Sequence, residues 1–123
     1  MPVTSFRELI VWQKAMDLVE TIYRATDPYP TREMFGLTRQ IRKAAVSVPS
    51  NIAEGQGRHS TQEFLRFLAL GRASLQEMQT QRLLCERLGY LSLVTRTDLL
   101  DQTTQDAMLI NSLVKSLKNR PPL

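Results

Sequence analysis

The chain has a single cysteine, Cys85, and a single histidine, His59, among its 123 residues. One cysteine excludes an intramolecular disulfide and fits a reducing cytoplasm, where the protein is expected to reside. One histidine, with no cysteine or second histidine close in sequence, leaves neither a zinc ligand set nor a Ser/His/Asp constellation to assemble. No metal and no cofactor is therefore expected. Long apolar runs are missing too: stretches such as Leu9 to Trp12 fall far short of the roughly 20 residues that cross a bilayer, and the N-terminus lacks the basic-then-apolar pattern of a signal peptide. The chain is expected to have no membrane partner. No alternating apolar and polar segment marks a strand, and no internal repeat or low-complexity linker is present. Gly55-Gln56-Gly57 lacks both the preceding strand and the third glycine of a dinucleotide loop, the next positions being Arg58, His59 and Ser60. Carboxylates stand singly on polar faces, and Cys85 falls on an apolar one, so the chain is expected not to be an enzyme.

What is present is helix. At 42% hydrophobic content the chain suffices for one core and one domain, residues 1–123. Its organising stretch runs from Gly36 to Ser60. Leu37, Ile41, Ala44, Ala45, Val48 and Ile52 fall in a stripe about 100° wide, with Arg39, Arg42 and Lys43 across from it. The rhythm keeps its phase through Pro49, which predicts one helix kinked there, with Gly55 and Gly57 supplying the open backbone that stops it. Phe35, Val46 and Ala53 form a second apolar line on the opposite side, which implies a second contact, such as another subunit.

The remaining helices follow from caps and periodicity. Ser5 with Glu8 and Ser60 with Glu63 read as capping boxes, starting helices near Phe6 and at Thr61. In the first helix Leu9, Trp12, Ala15, Met16, Val19, Ile22 and Tyr23 recur at helical spacing, widened by Val11 and Leu18, and Trp12 is read as a packing anchor. Asp27-Pro28-Tyr29-Pro30 makes a turn, after which Thr31 caps a short helical segment. The third helix is apolar on several sides: Phe64, Phe67, Leu68, Leu75, Met78 and Cys85 on one, Leu70, Ala73, Leu84 and Leu88 on another. Such a surplus argues for self-association. Gly89 stops this helix, Thr95 caps the fourth, and Arg120-Pro121-Pro122 ends it. Its inner face is Leu99, Leu100, Thr103, Ala107, Ile110, Leu113, Val114 and Leu117. The fold predicted is all-α, an antiparallel up-down-up-down four-helix bundle with helices near 6–26, 35–55, 61–88 and 96–118.

Charge is modest but localised. The net charge is +4, and between Arg32 and Arg72 seven basic residues face three acidic ones, which accounts for all of it. Clustering of this kind attracts polyanions. The candidate nucleic-acid-binding residues are Arg39, Arg42, Lys43, Arg58 and Arg66. The competing reading is a protein-interaction scaffold whose bases pair with acids between subunits. Neither a helix-turn-helix nor an aromatic stacking platform is recognisable, so any binding is expected to be largely non-specific.

The segments FRELIVWQKAMDLV (Phe6 to Val19), FGLTRQIRKAAVSVPSNIAEGQGR (Phe35 to Arg58), EFLRFLALGRASLQEMQTQ (Glu63 to Gln81) and LGY (Leu88 to Tyr90) resemble the bacterial four-helix bundle protein family, whose first members are products of intervening sequences in 23S ribosomal RNA genes. The resemblance covers most of the chain in order. It implies a small non-catalytic helical protein assembling as a ring-like homopentamer. A distant relative, the accessory variability determinant of diversity-generating retroelements, implies RNA or DNA and a reverse transcriptase or other nucleoprotein as partners.

Overall fold

A computed structural model describes residues 5–119. Four α-helices run through it: α1 (Ile10–Thr26), α2 (Leu37–Gln56), α3 (Thr61–Arg87) and α4 (Leu93–Lys118), with 3₁₀ turns at Phe6–Glu8 and Thr31–Glu33. No strand occurs among the described residues. None of these helices is long and apolar enough to cross a membrane.

Where a side chain can satisfy the first free amides, the helix starts as the caps foretell. Ser60 accepts from the Glu63 amide at 3.1 Å and α3 begins at Thr61. Ser5 behaves otherwise: it accepts from the Arg7 amide and closes only the 3₁₀ turn, so α1 begins at Ile10 behind an uncapped Leu9. The expected start near Phe6 is corrected accordingly. Ser92, not Thr95, caps α4, accepting from the Thr95 amide at 3.2 Å, and the helix starts at Leu93 instead of Arg96. Pro30, not Thr31, precedes the short turn before α2.

Helix ends also differ from expectation at one of the two glycine sites. Gly89 has φ +76°, and with Tyr90 N–H donating to the Cys85 carbonyl and Gly89 N–H to that of Glu86 it closes α3 in a Schellman turn. Gly55, by contrast, is buried inside α2, and neither it nor Gly57 has positive φ. A Cβ on Gly55 would lie 2.7 Å from the Phe67 Cβ, so this glycine is needed for close approach of α3. The end of α4 at Arg120-Pro121-Pro122 lies outside the described residues.

Packing is cyclic: α1 lies against α2 and α4, and α3 against α2 and α4, while in the diagonal pairs no Cα atoms come within 8 Å of each other. Ser47 meets Ser74, Gly71 lies over Val48 to Ile52, and Gly55 lies over Phe64 and Phe67, so α2 and α3 run in opposite senses. The α2 stripe of Leu37, Ile41, Ala44, Ala45, Val48 and Ile52 is buried as its spacing implied, and α2 continues through a buried Pro49. On α1 the buried line is Val11, Ala15, Leu18 and Ile22; Met16 and Tyr23 are exposed. Trp12 stacks edge-on against Phe6 at 5.1 Å, a packing role as expected.

Two corrections concern α4. Leu100 is exposed at 50%, whereas Asp106, on the same face as Leu99, Thr103 and Ile110, is 1% exposed and no polar-face carboxylate. The three- and four-residue spacing from Leu99 through Thr103 and Asp106 to Ile110 already carried that signal.

Candidate nucleic-acid interface

The five candidate bases do not form one cluster. Arg39, Arg42 and Lys43 lie in the first two turns of α2, and roughly 20 Å of helix separates Lys43 from the far end of α2, where Arg58 and Arg66 sit.

Arg42 is committed to its own chain. Its Nε donates to the Thr26 hydroxyl at 2.7 Å, and one terminal nitrogen donates to the Tyr23 carbonyl and to Asp27 Oδ1. The guanidinium also lies 4.6 Å from the Tyr23 ring centre. These contacts satisfy carbonyl and hydroxyl oxygens at the C-terminal end of α1, where a cation complements the helix dipole. Arg39 and Lys43 are exposed and have no ion-pair partner among the described residues.

At the other end, Arg58 and Arg66 come together. Both guanidinium groups lie over the Phe67 ring, at 4.9 and 4.6 Å from its centre. Arg58 pairs with Glu54 at 2.9 Å and Arg66 with Glu63 at 3.1 Å. These pairs are about half exposed, so each holds its arginine by less than about 1 kcal/mol and a phosphate can compete. Arg66 also borders an open cleft of about 650 Å³ shared by Arg72 and Lys118, with Glu63 its one carboxylate. Arg72 donates to the Asn111 side chain at 3.1 Å, holding the α3 wall of the cleft against α4.

Cys85 is fully buried, and burial pushes its thiol up from the ordinary cysteine value, which disfavours the nucleophilic thiolate. His59 is exposed in the loop between α2 and α3.

A family model, 23S rRNA-intervening sequence protein, matches residues 7–112, which takes in α1 to α3 and most of α4. The chain belongs to this family. No match to the chain was found among curated proteins.

Sequence reasoning left Arg72, on the same helix as Arg66 and within the basic stretch, out of the candidates, and missed Lys118, which joins them only because the start of α3 packs beside the end of α4. No short-range signal could have found Lys118: it and Arg66 are neighbours in space and more than fifty positions apart in the chain. Arg82 and Gln81 were also missed. Both are buried, and Arg82 pairs with Glu86 at 2.6 Å, beside Arg96 on α4 at 3.8 Å from the same carboxylate oxygen. That set ties α3 to α4, with Arg82 and Glu86 largely covered and Arg96 half exposed.

Proposed function

We propose that this chain is a non-enzymatic, homo-oligomeric helical protein that binds nucleic acid, or a nucleoprotein partner such as a reverse transcriptase, through the basic end of the bundle. The observation that carries the reading is the convergence of Arg66, Arg72 and Lys118 on one cleft, with Arg58 beside it and a single carboxylate among the lining residues. Backbone phosphates suit such a site, since none of these side chains is arranged as a base reader, and RNA and DNA are both candidate ligands. Self-association is supported by large apolar side chains left in water: Phe35 and Val94 are each 80% exposed. A ring of five follows from family resemblance.

The test is an anisotropy titration of the full-length protein with RNA and DNA over a range of salt. Affinity should fall linearly in log–log form, and Arg66→Ala with Arg72→Ala and Lys118→Ala should reduce the slope by about 2 to 3 per subunit engaged. No binding at low salt would sink the reading. A second reading, the protein-interaction scaffold, is favoured by the in-chain carboxylate partners of Arg42, Arg58 and Arg66. It gains if the protein assembles yet ignores polyanions.

A further inference from the structure

Two exposed stripes lack partners, and they lie on two helices diagonal in the bundle, α2 and α4. On the outer side of α2 are Arg39, Lys43 and Val46, with Phe35 just before the helix. Phe35 is 80% exposed and Val46 40%. On the outer side of α4 are Val94, Asp98, Asp101 and Met108, which fall within about 80° of one another. Val94 is 80% exposed and Met108 65%.

Each stripe reads apolar, charge, charge, apolar, and by helix rise they span about 16 and about 20 Å. Their charges are opposite. Among the described residues neither Arg39 nor Lys43 meets a carboxylate and neither Asp98 nor Asp101 meets a cation; Asp98 accepts only from the Gln102 amide, at 3.2 Å. One chain cannot pair its own stripes, because α2 and α4 are diagonal in the bundle and their outer sides face away from each other.

We infer that the acidic α4 stripe of one copy docks on the basic α2 stripe of the next. The contact is heterologous, so each copy uses one face to give and the opposite face to receive. Such a contact closes into a ring when the rotation between copies permits. The inference rests on the homo-oligomer in the proposed function and specifies the contact. Pairing places the four charges against opposite charges and removes four exposed apolar side chains from water, with electrostatics setting the register. It also takes Arg39 and Lys43 out of the polyanion surface and leaves the cleft at the bundle end free.

Charge reversal of the full chain tests this by light scattering after size exclusion, with circular dichroism confirming helix content. Asp98→Lys with Asp101→Lys, and separately Arg39→Glu with Lys43→Glu, should each be monomeric alone. An equimolar mixture of the two should associate into species larger than a monomer, because each reversed stripe has its complement on the other variant, although strict alternation cannot close a ring of five. All four substitutions in one chain should restore wild-type size. The inference is overturned if either variant alone keeps wild-type size, or if the mixture and the fourfold variant stay monomeric. Loss of RNA binding at unchanged size in the Arg39/Lys43 variant would instead make that stripe a polyanion site and equally overturn it. A monomeric wild type defeats the oligomer itself, whereas an assembling wild type with assembling variants defeats only the pairing of these stripes.

Discussion

Arg42 and Asp106 show how little a residue's formal charge says about its work. By spacing, Arg42 belongs to the polar side of α2, yet its guanidinium binds Thr26, Tyr23 and Asp27 at the end of α1. Arg42→Ala should therefore lower unfolding stability by about 1 to 3 kcal/mol, the range for hydrogen bonds from a charged donor, and leave the salt slope of RNA binding unchanged. Urea denaturation and the anisotropy titration read the two effects separately. Asp106 is the converse, a carboxylate held inside: Oδ2 has no hydrogen-bond partner. Burial, reinforced by Asp17 and opposed by Lys14, pushes its carboxyl from 3.8 up to about 7. Between those values the folded chain keeps a proton that the unfolded chain has released, so stability falls as pH rises through that window and levels off above it. Each unit of such a shift costs about 1.4 kcal/mol. Asp106→Asn should accordingly match the wild type near pH 4 and exceed it by up to a few kcal/mol near pH 8, in denaturation at the two values. An equal difference at both would remove the titration from the account.

At the scale of the element, two glycines on one helix pair should respond in opposite ways to the same substitution. Gly71 lies mid-α3, and a Cβ there would sit 3.5 Å from the Val48 carbonyl oxygen and 3.6 Å from the Asn51 Cβ, ordinary contact distances. Gly71→Ala should stabilise by up to about 1 kcal/mol through helix propensity alone. Gly55→Ala should destabilise by about 1 to 3 kcal/mol, because backbone or the Phe67 stem must shift to admit the methyl. Thermal unfolding followed by circular dichroism decides both, and equal signs would contradict the packing. Element ends were legible wherever the signal was local. Ser60 and Gly89 act on amides and carbonyls within five residues of themselves. The starts of α1 and α4 were not legible, because Ser5 caps a 3₁₀ turn that α1 does not continue and Ser92 competes with Thr95, so only the packed chain selects which turn is helical.

For the whole molecule, assembly and binding should be coupled. Each cleft offers a few cations to a phosphate backbone, a weak attachment by itself, whereas copies held in one assembly raise the effective concentration of the next contact. The monomeric charge-reversal variants keep Arg66, Arg72 and Lys118, so long RNA should bind them at least tenfold more weakly than it binds the wild type. Short oligonucleotides that reach one cleft should bind both alike. A length-independent difference would mean that the reversed residues themselves touch the ligand.

The linear chain by itself determined that this is an all-α protein with four helices, because helical periodicity and caps are written over a few turns. It also determined the buried stripe of α2, since a 3.6-residue period sorts side chains without reference to any neighbour. Five bases were legible as cationic but not as a site: whether a base is left to water or bound to the end of another helix depends on which helix packs beside it. Only the tertiary structure decided that Arg42 clamps α1 and that Lys118 joins Arg66 and Arg72 at the cleft. The physical reason is range, since turn and periodicity signals act within about ten residues while the cleft joins α3 to α4 across half the chain.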